Sequence, residues 1–132
     1  MRALRLTYKE AQEMFRRIVF NVVVRNQDDH TKNISFLMDK NGRWRLSPAY
    51  DMGYAYNPNG EWTSMHQMSV NGKFNNINRD DLIECAAKNS IKNPSQIIDE
   101  VCNAASKWPD IAKECAVPQK MIEVVKQNFL FL

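Results

Sequence analysis

Three side chains with oxygen ligands stand in an order that suits phosphate chemistry. Asp28 and Asn33 lie five positions apart in one polar run, and a second acid, Asp51, follows after two short apolar runs. Carboxylate and amide oxygens are the ligands that Mg²⁺ prefers in proteins. Transfer of a phosphoryl group requires little beyond positioning and neutralisation of charge, and such a set of residues provides both. These three residues are therefore the first candidates for chemistry.

The order and spacing of the three residues match those of a kinase catalytic site. In such a site an Asp accepts the hydroxyl proton, an Asn five residues later holds magnesium, and a later Asp holds magnesium on the phosphates. The Asp-x-x-x-x-Asn pattern alone is weak, because it occurs by chance in many chains. It is strengthened here by the apolar helix before it and by the hairpin and the pair Tyr50-Asp51 after it. Asp29 is interpreted as a turn or loop residue, since the spacing to Asn33 selects Asp28.

An amphipathic helix is predicted to precede the polar run. Apolar residues recur at three- and four-residue steps from Tyr8 to Val24, and the last turns are apolar on more than one side, which favours a central core helix. Thr7 can cap this helix, and Glu10 completes a capping box. The polar run at 26–33 cannot continue a buried helix without burying charges, so it is predicted to be a loop.

A short hairpin and several helices are predicted after the loop. The runs Ile34–Met38 and Arg43–Leu46 favour two strands, and Asn41-Gly42 supplies the positive φ angles of a tight turn. The region up to Ile77 is rich in Asn, Gly and Pro and is predicted to be a long loop, with His66 at the surface. Later helices are predicted to begin at Asn78 or Asp80, at Asn93-Pro94, at Pro109 and at Pro118, with Phe129–Leu132 continuing the last one. The predicted fold is α+β and mostly α-helical.

Length and composition favour a single domain with its own core. The 132 residues fit one domain, and 44% apolar and 25% charged residues are ordinary globular values. A net charge of +3 neither demands nor excludes an anionic partner. Cys85, Cys102 and Cys115 form no Cys-x-x-Cys, so free thiols in a reducing cytosol are expected rather than a zinc site or disulfides. The charged N-terminus and the lack of an apolar stretch of about 18 residues predict a cytoplasmic protein without a membrane span.

Two longer motifs occur in the same part of the chain. Phe20-Asn21-Val22 leads into Asp28–Phe36, which contains the pattern Asp-x-His-x-Lys-Asn, and Leu46–Met52 contains Leu-Ser-Pro-x-Tyr-Asp. In order and spacing these motifs resemble those of the HipA-like serine/threonine kinases of bacterial toxin–antitoxin modules. The helical tail from Asp80 is also similar to the C-terminal region of that family, so the resemblance spans nearly the whole chain.

The resemblance implies a role for the residues of both motifs. Asp28 would be the catalytic base, and Asn33 and Asp51 would be the magnesium ligands. The residues near the phosphates of ATP would be His30, Thr31, Lys32, Asn33, Tyr50 and Asp51. A hydrogen-bonded structural role is an equal alternative for His30, and simple exposure is one for Lys32. The implied cofactors are ATP and Mg²⁺.

A glycine-rich phosphate loop is missing from these residues. Kinases of this family need an N-terminal lobe with a phosphate-covering loop and a lysine on a strand. The chain has four glycines, at positions 42, 53, 60 and 72, all after the candidate loop and none in a Gly-x-Gly-x-x-Gly pattern. Residues 1–132 are therefore expected to form a HipA-like C-terminal kinase subdomain, inactive by itself, whose N-terminal lobe is missing or is a separate chain.

The resemblance also implies partners. These are a protein substrate, whose Ser or Thr hydroxyl would accept the γ-phosphate of ATP, and a helix-turn-helix antitoxin protein, which would connect the chain to DNA only indirectly. The alternative is a non-catalytic partner- or DNA-binding domain that retains relic kinase motifs. Lys and Arg are spread along the chain rather than clustered on one predicted helix, which counts against DNA binding. The lack of the lobe favours the non-catalytic alternative for this chain in isolation.

Overall fold

The structure, a computed structural model, describes residues 2–132 and consists mainly of helices. Its elements are α1 (Tyr8–Val23), β1 (Phe36–Met38), β2 (Trp44–Leu46), α2 (Arg79–Lys88), α3 (Pro94–Ala105), α4 (Trp108–Glu114) and α5 (Gln119–Asn128). Short 3₁₀ turns at Arg2–Leu4 and Thr31–Asn33 lie before α1 and in the candidate loop. The predicted α+β class, mostly helical with one hairpin after the loop, is confirmed. Within residues 2–132, no helix combines the length and the apolar character needed to cross a membrane.

Helix α1 is the centre of the core, as its apolar spacing predicts. Its buried residues are Phe15, Val19, Val22 and Val23, of which Val19 and Val23 have no exposed surface. The helix packs against α3, which also contacts α2. Full burial of a Val or Phe side chain stabilises the folded state by about 1.5–3 kcal/mol. This face of α1 therefore fixes the position of the helix relative to the rest of the chain.

Hydrogen bonds close both ends of α1. At the N-terminus, Thr7 and Glu10 form the predicted capping box. At the C-terminus, the amides of Arg25 and Asn26 donate to carbonyls in the last turns of the helix (3.3 and 2.8 Å), which is a Schellman arrangement. Arg25 has the left-handed conformation (φ 52°) that glycine usually supplies at this position. The helix end is therefore formed without a glycine signal in the sequence.

The hairpin is shorter than predicted, and its turn uses one left-handed residue instead of two. The strands pair antiparallel over three residues each. The amide of Gly42 donates to the carbonyl of Asp39 (3.0 Å), and Gly42 has a positive φ of 76° whereas Asn41 does not. The carboxylate of Asp39 accepts the amides of Asn41 and Arg43 (2.8 and 3.0 Å). The Asp39 side chain thus stabilises the turn at residues 40–42, between Asp39 and Arg43, in which only the glycine has a left-handed backbone.

Two side chains of α1 fasten the hairpin to the core helix. Oε2 of Glu10 accepts the amide and the hydroxyl of Thr7 (both 2.7 Å), and Oε1 accepts the amide of Leu46 on β2 (2.8 Å). Arg17 donates to the carbonyl of Ser47, just after β2 (2.8 Å). An isolated two-stranded hairpin is only marginally stable. These contacts therefore give the hairpin a fixed position beside α1.

The last residues leave α5 instead of continuing it, so the predicted helical tail is wrong. The helix ends at Asn128, and the amide of Leu130 donates to the carbonyl of Val23 at the end of α1 (2.8 Å). The last carbonyls of a helix have no partner within that helix. A non-helical tail satisfies one of them and still lets Phe129 and Leu132 pack against the core.

Replacing Glu10 with Gln is expected to destabilise the fold in a pH-dependent way. Hydrogen bonds from the Thr7 hydroxyl, the Thr7 amide and the Leu46 amide hold the pKa of Glu10 below its usual value of 4.5. Because the folded-state pKa is lowered, the carboxylate stabilises the fold above the unfolded-state pKa, and this contribution is lost as the pH falls through the folded-state pKa. Thermal melts of the wild type and Glu10→Gln should differ at pH 7, and the difference should shrink as the pH falls below 4.5 and vanish once the pH has passed the lowered folded-state pKa.

Thr7→Ala and Lys9→Gln provide the comparison for this experiment. Loss of the capping hydroxyl should cost about 1 kcal/mol, which lowers the melting temperature by roughly 4 °C in a domain of this size. Lys9 is exposed on the same turn and should be neutral. A difference between wild type and Glu10→Gln that stays constant down to acid pH would contradict the role given to the carboxylate.

Candidate functional site

The buried side chain of Asn26 joins the end of α1 to the segment that carries Asp51. Its Nδ2 donates to Oδ1 of Asn21 on α1 (3.0 Å) and to the backbone carbonyl of Asp51 (3.3 Å). Two backbone hydrogen bonds of 3.1 Å on either side of Asn26 form a parallel bridge with Ala55. These bonds place the segment 51–55 beside the start of the candidate loop.

The loop closes on itself through Asn33. Its Nδ2 donates to the carbonyl of Asp28 (3.0 Å), and its amide donates to the carbonyl of His30 (3.0 Å). No residue of the described range 2–132 donates a hydrogen bond to Oδ1 of Asn33. The nitrogen of this side chain is therefore used to hold the loop, while its oxygen is available to a ligand.

Asp28 presents the more accessible of the two adjacent carboxylates. Its side chain is 48% exposed, and its ion-pair partner is Nε2 of His30, 3.8 Å from Oδ1. Asp29, in contrast, is only 7% exposed. The geometry therefore leaves the carboxylate of Asp28, rather than that of Asp29, accessible to solvent.

The second motif is tied to the far end of the loop. The Tyr50 hydroxyl donates to the carbonyl of Lys32 (2.7 Å). Asp51 is exposed and has a left-handed backbone (φ 53°), which Asp tolerates better than most residues. Its carboxylate forms no hydrogen bond or ion pair with any part of the chain that the structure describes. Asn26 and Tyr50 thus attach both ends of the loop to the segment around Asp51.

The other residues of the first motif differ in their surroundings. The His30 side chain is 39% exposed, but its Nδ1 is buried and has no partner among the described residues. Thr31 and Lys32 are exposed, and the Lys32 ammonium makes no ion pair within residues 2–132. Contact of these three residues with a nucleotide stays a prediction.

The surface position predicted for His66 is wrong, because this residue pairs with Asp29. His66 is 3% exposed, and its Nδ1 lies 2.8 Å from Oδ2 of Asp29. Oδ1 of Asp29 accepts the amides of Gln67 and Met68 (2.7 and 3.3 Å). Nothing in the sequence indicates this contact, since the two partners are far apart in the chain and the irregular region around His66 has no periodic pattern.

The free donor atoms suit a hard divalent cation that also contacts phosphate. Oδ1 of Asn33 and the carboxylate of Asp51 are oxygen donors, and Mg²⁺ usually takes one or two protein oxygens together with waters and phosphate oxygens. Within residues 2–132, no three His, Cys, Asp or Glu side chains are grouped so that they could hold a metal ion. These donor types match those of a magnesium ion shared with a nucleotide rather than those of one enclosed by His, Cys, Asp and Glu side chains alone, and magnesium binding by Asn33 and Asp51 stays a prediction.

Comparison with known proteins places the site within a family domain. The family model described as the HipA-like C-terminal domain matches residues 1–109. This range includes both motifs, the hairpin and helices α1 to α3. Comparisons with curated proteins and with solved structures found no match. The similarity to the family therefore extends over the elements that position the site, and not only over the two motifs.

Asn26→Ala is expected to destabilise the chain more than Tyr50→Phe. The first change removes two partly buried hydrogen bonds made by a side chain that is 3% exposed, whereas the second removes a single exposed hydrogen bond. Loss of one ordinary hydrogen bond costs about 0.5–1.5 kcal/mol. Urea denaturation measures both values. Equal losses of unfolding free energy in the two variants, or no loss in Asn26→Ala, would contradict the role of Asn26 in joining α1 to the segment of Asp51.

Proposed function

Because the chain belongs to the HipA-like C-terminal domain family, we propose that it is the catalytic-loop part of a serine/threonine protein kinase. The reaction transfers the γ-phosphate of ATP to a Ser or Thr hydroxyl of a protein substrate. One observation carries the proposal. The side-chain oxygens of Asp28, Asn33 and Asp51 accept no hydrogen bond from residues 2–132, although hydrogen bonds fasten the segments that bear them.

A purely structural role for these acids would favour the opposite arrangement. Acids that only stabilise turns bond to nearby backbone amides, as Asp39 does in the hairpin. Asp28 and Asp51 accept no such bonds within the described chain.

In the proposed reaction, each of the three residues has a distinct role. Asp28 accepts the proton of the substrate hydroxyl, which its half-exposed side chain can meet directly. Asn33 and Asp51 are the residues that would hold Mg²⁺. The bound ion supplies neutralisation of the charge that develops on the transferred phosphoryl group. The hydrogen bond from Asn33 to the carbonyl of Asp28 keeps the base and one metal ligand in a fixed relation.

We further propose that another lobe completes the nucleotide site. His30, Thr31 and Lys32 lie on the accessible part of the loop, where the phosphates of ATP would contact them. The four glycines of these 132 residues form no phosphate-covering loop, so a separate chain or a segment outside this sequence would provide it. A helix-turn-helix antitoxin, with DNA bound only through it, is the partner that the family context suggests.

A non-catalytic partner-binding domain is the second candidate, and the lack of a glycine-rich loop in these residues favours it. In that case Asp28, Asn33 and Asp51 would be relics of an ancestral kinase. Relic side chains need no affinity for a divalent cation. Metal binding by the chain therefore separates the two candidates.

The chain is expected to bind Mn²⁺, a paramagnetic substitute for Mg²⁺, through Asn33 and Asp51. Asp51→Asn and Asn33→Ala should each weaken binding by at least about tenfold, since changes even in residues that only support metal ligands cost 10–100-fold. Titration followed by electron paramagnetic resonance measures the affinity. Glu61→Gln, which removes an exposed loop acid, is the matched control and should bind as the wild type does. Equal affinity in all four proteins would favour the second candidate.

The isolated chain is expected to transfer no labelled phosphate from γ-labelled ATP to itself or to an added protein. Positioning of the nucleotide is shared between two lobes in kinases, and its loss forfeits several orders of magnitude in rate. Robust transfer by this chain alone would show that a glycine-rich lobe is not required.

In a complex that includes the second lobe, Asp28→Asn should abolish transfer with little change in melting temperature.

A further inference from the structure

A buried acid and a buried histidine meet beside the candidate base. Asp29 and His66 are 7% and 3% exposed, and Oδ2 of Asp29 lies 2.8 Å from Nδ1 of His66. An ionised carboxylate can only accept hydrogen bonds, so the ring nitrogen is the donor. The amides of Gln67 and Met68 donate to the other oxygen (2.7 and 3.3 Å). Three donors from one segment thus hold a carboxylate of the candidate loop.

This contact controls a peptide group that the site uses. The carbonyl of Asp28 and the nitrogen of Asp29 belong to the same planar peptide unit. That carbonyl accepts the hydrogen bond from Nδ2 of Asn33 (3.0 Å). A fixed Asp29 therefore fixes the orientation of the acceptor on which the Asn33 side chain depends, and it also fixes the backbone from which the Asp28 side chain projects.

The middle of the loop has little else to hold it. On the N-terminal side of Asp28, the amide of Gln27 donates to the carbonyl of Ala55. On the C-terminal side of Asp29, the Tyr50 hydroxyl donates to the carbonyl of Lys32. Within residues 2–132, the amides of Asp28 and Asp29 donate no hydrogen bond to another backbone group. The segment that carries His66 is itself fixed, because the His66 amide donates to the carbonyl of Phe74 (2.9 Å).

We propose that Asp29 and His66 are positioning residues that orient the peptide unit between Asp28 and Asp29, and through it both Asp28 and the amide of Asn33. The roles of Asp28 as the base and of Asn33 as a metal ligand rest on the proposed function. The orientation of the loop by the pair does not rest on it. Residues 66–68, in the irregular region after Asp51, thus supply the hydrogen-bond donors that orient the candidate loop.

Variants at His66 separate positioning from simple packing. His66→Leu removes the donor and keeps a similar volume, whereas His66→Asn retains an NH group at the position equivalent to Nδ1. Gln67→Ala is the matched control, because it changes the same segment but leaves the backbone amide that donates to Asp29. Each variant is prepared as the full 132-residue chain.

The first measurement is the backbone ¹⁵N order parameter of residues 28–33. Order parameters of about 0.85, typical of rigid backbone, are expected for the wild type, His66→Asn and Gln67→Ala. In His66→Leu, the order parameters of Asp28 and Asp29 should fall below about 0.6. The second measurement is the Mn²⁺ affinity, which should drop about tenfold in His66→Leu and recover in His66→Asn.

The outcomes distinguish this proposal from the proposed function. Unchanged order parameters in His66→Leu, or equal mobility in His66→Leu and His66→Asn, would overturn the positioning role. If the wild type binds no Mn²⁺ while His66→Leu still mobilises Asp28 and Asp29, the metal site fails and the positioning role stands. Should His66→Leu not fold, Asp29→Ala takes its place, since it removes the acceptor that the three donors share, and Asp29→Asn, which retains an acceptor oxygen and an NH group, takes the place of His66→Asn.

Discussion

The buried carboxamide of Asn26 is the contact on which the rest of the candidate site depends. It bonds at the same time to the side chain of Asn21 on α1 and to the backbone of Asp51. A buried amide cannot exchange these partners for water, and losing them costs about 1–3 kcal/mol. Because α1 is also the central helix of the core, this one side chain fixes the segment of Asp51 relative to the core. The site is therefore positioned by the central helix of the core.

The polar residues of the loop divide into two groups by what their side chains contact. Asn26, Asp29 and Asn33 bond to backbone groups, and they replace the regular hydrogen bonds that a helix or strand would provide. Asp28 and Asp51 contribute no such bonds within the described residues, so their carboxylates stay available. Some side chains of the polar run at 26–33 thus hold its backbone while Asp28 stays available, and Asp51 on the adjacent segment provides a second available carboxylate.

Local signals in the sequence predict most of the elements. The capping boxes at Thr7 and Asn78 and the proline after Asn93 lie within a few residues of the helices that they start. Of the two proposed starts of α2, Asn78 is the one used, since its side chain accepts the amide of Asp81 (3.0 Å) and its own amide donates to the carboxylate of Asp81 (2.9 Å). Periodicity likewise predicts the buried face of α1.

Contacts between distant segments could not be predicted. Arg25 has the left-handed conformation that glycine usually supplies at a helix end, and the amides of Arg25 and Asn26 form the Schellman hydrogen bonds there. Phe129 and Leu132 have the apolar character of a helix face, but the free carbonyl of Val23 favours a non-helical tail. The pairing of His66 with Asp29 depends on how an irregular region folds back, and no local pattern encodes that path.

Metal binding by Asn33 and Asp51 can be tested in a crystal of the chain grown with Mn²⁺ and measured at the manganese absorption edge. We expect an anomalous peak bound by Oδ1 of Asn33 and the carboxylate of Asp51, at the roughly 2.0–2.2 Å typical of a hard cation on oxygen ligands. Asp28 should lie beside the ion without binding it. A peak at other acids, or side chains of Asn33 and Asp51 that face away from each other, would contradict the account.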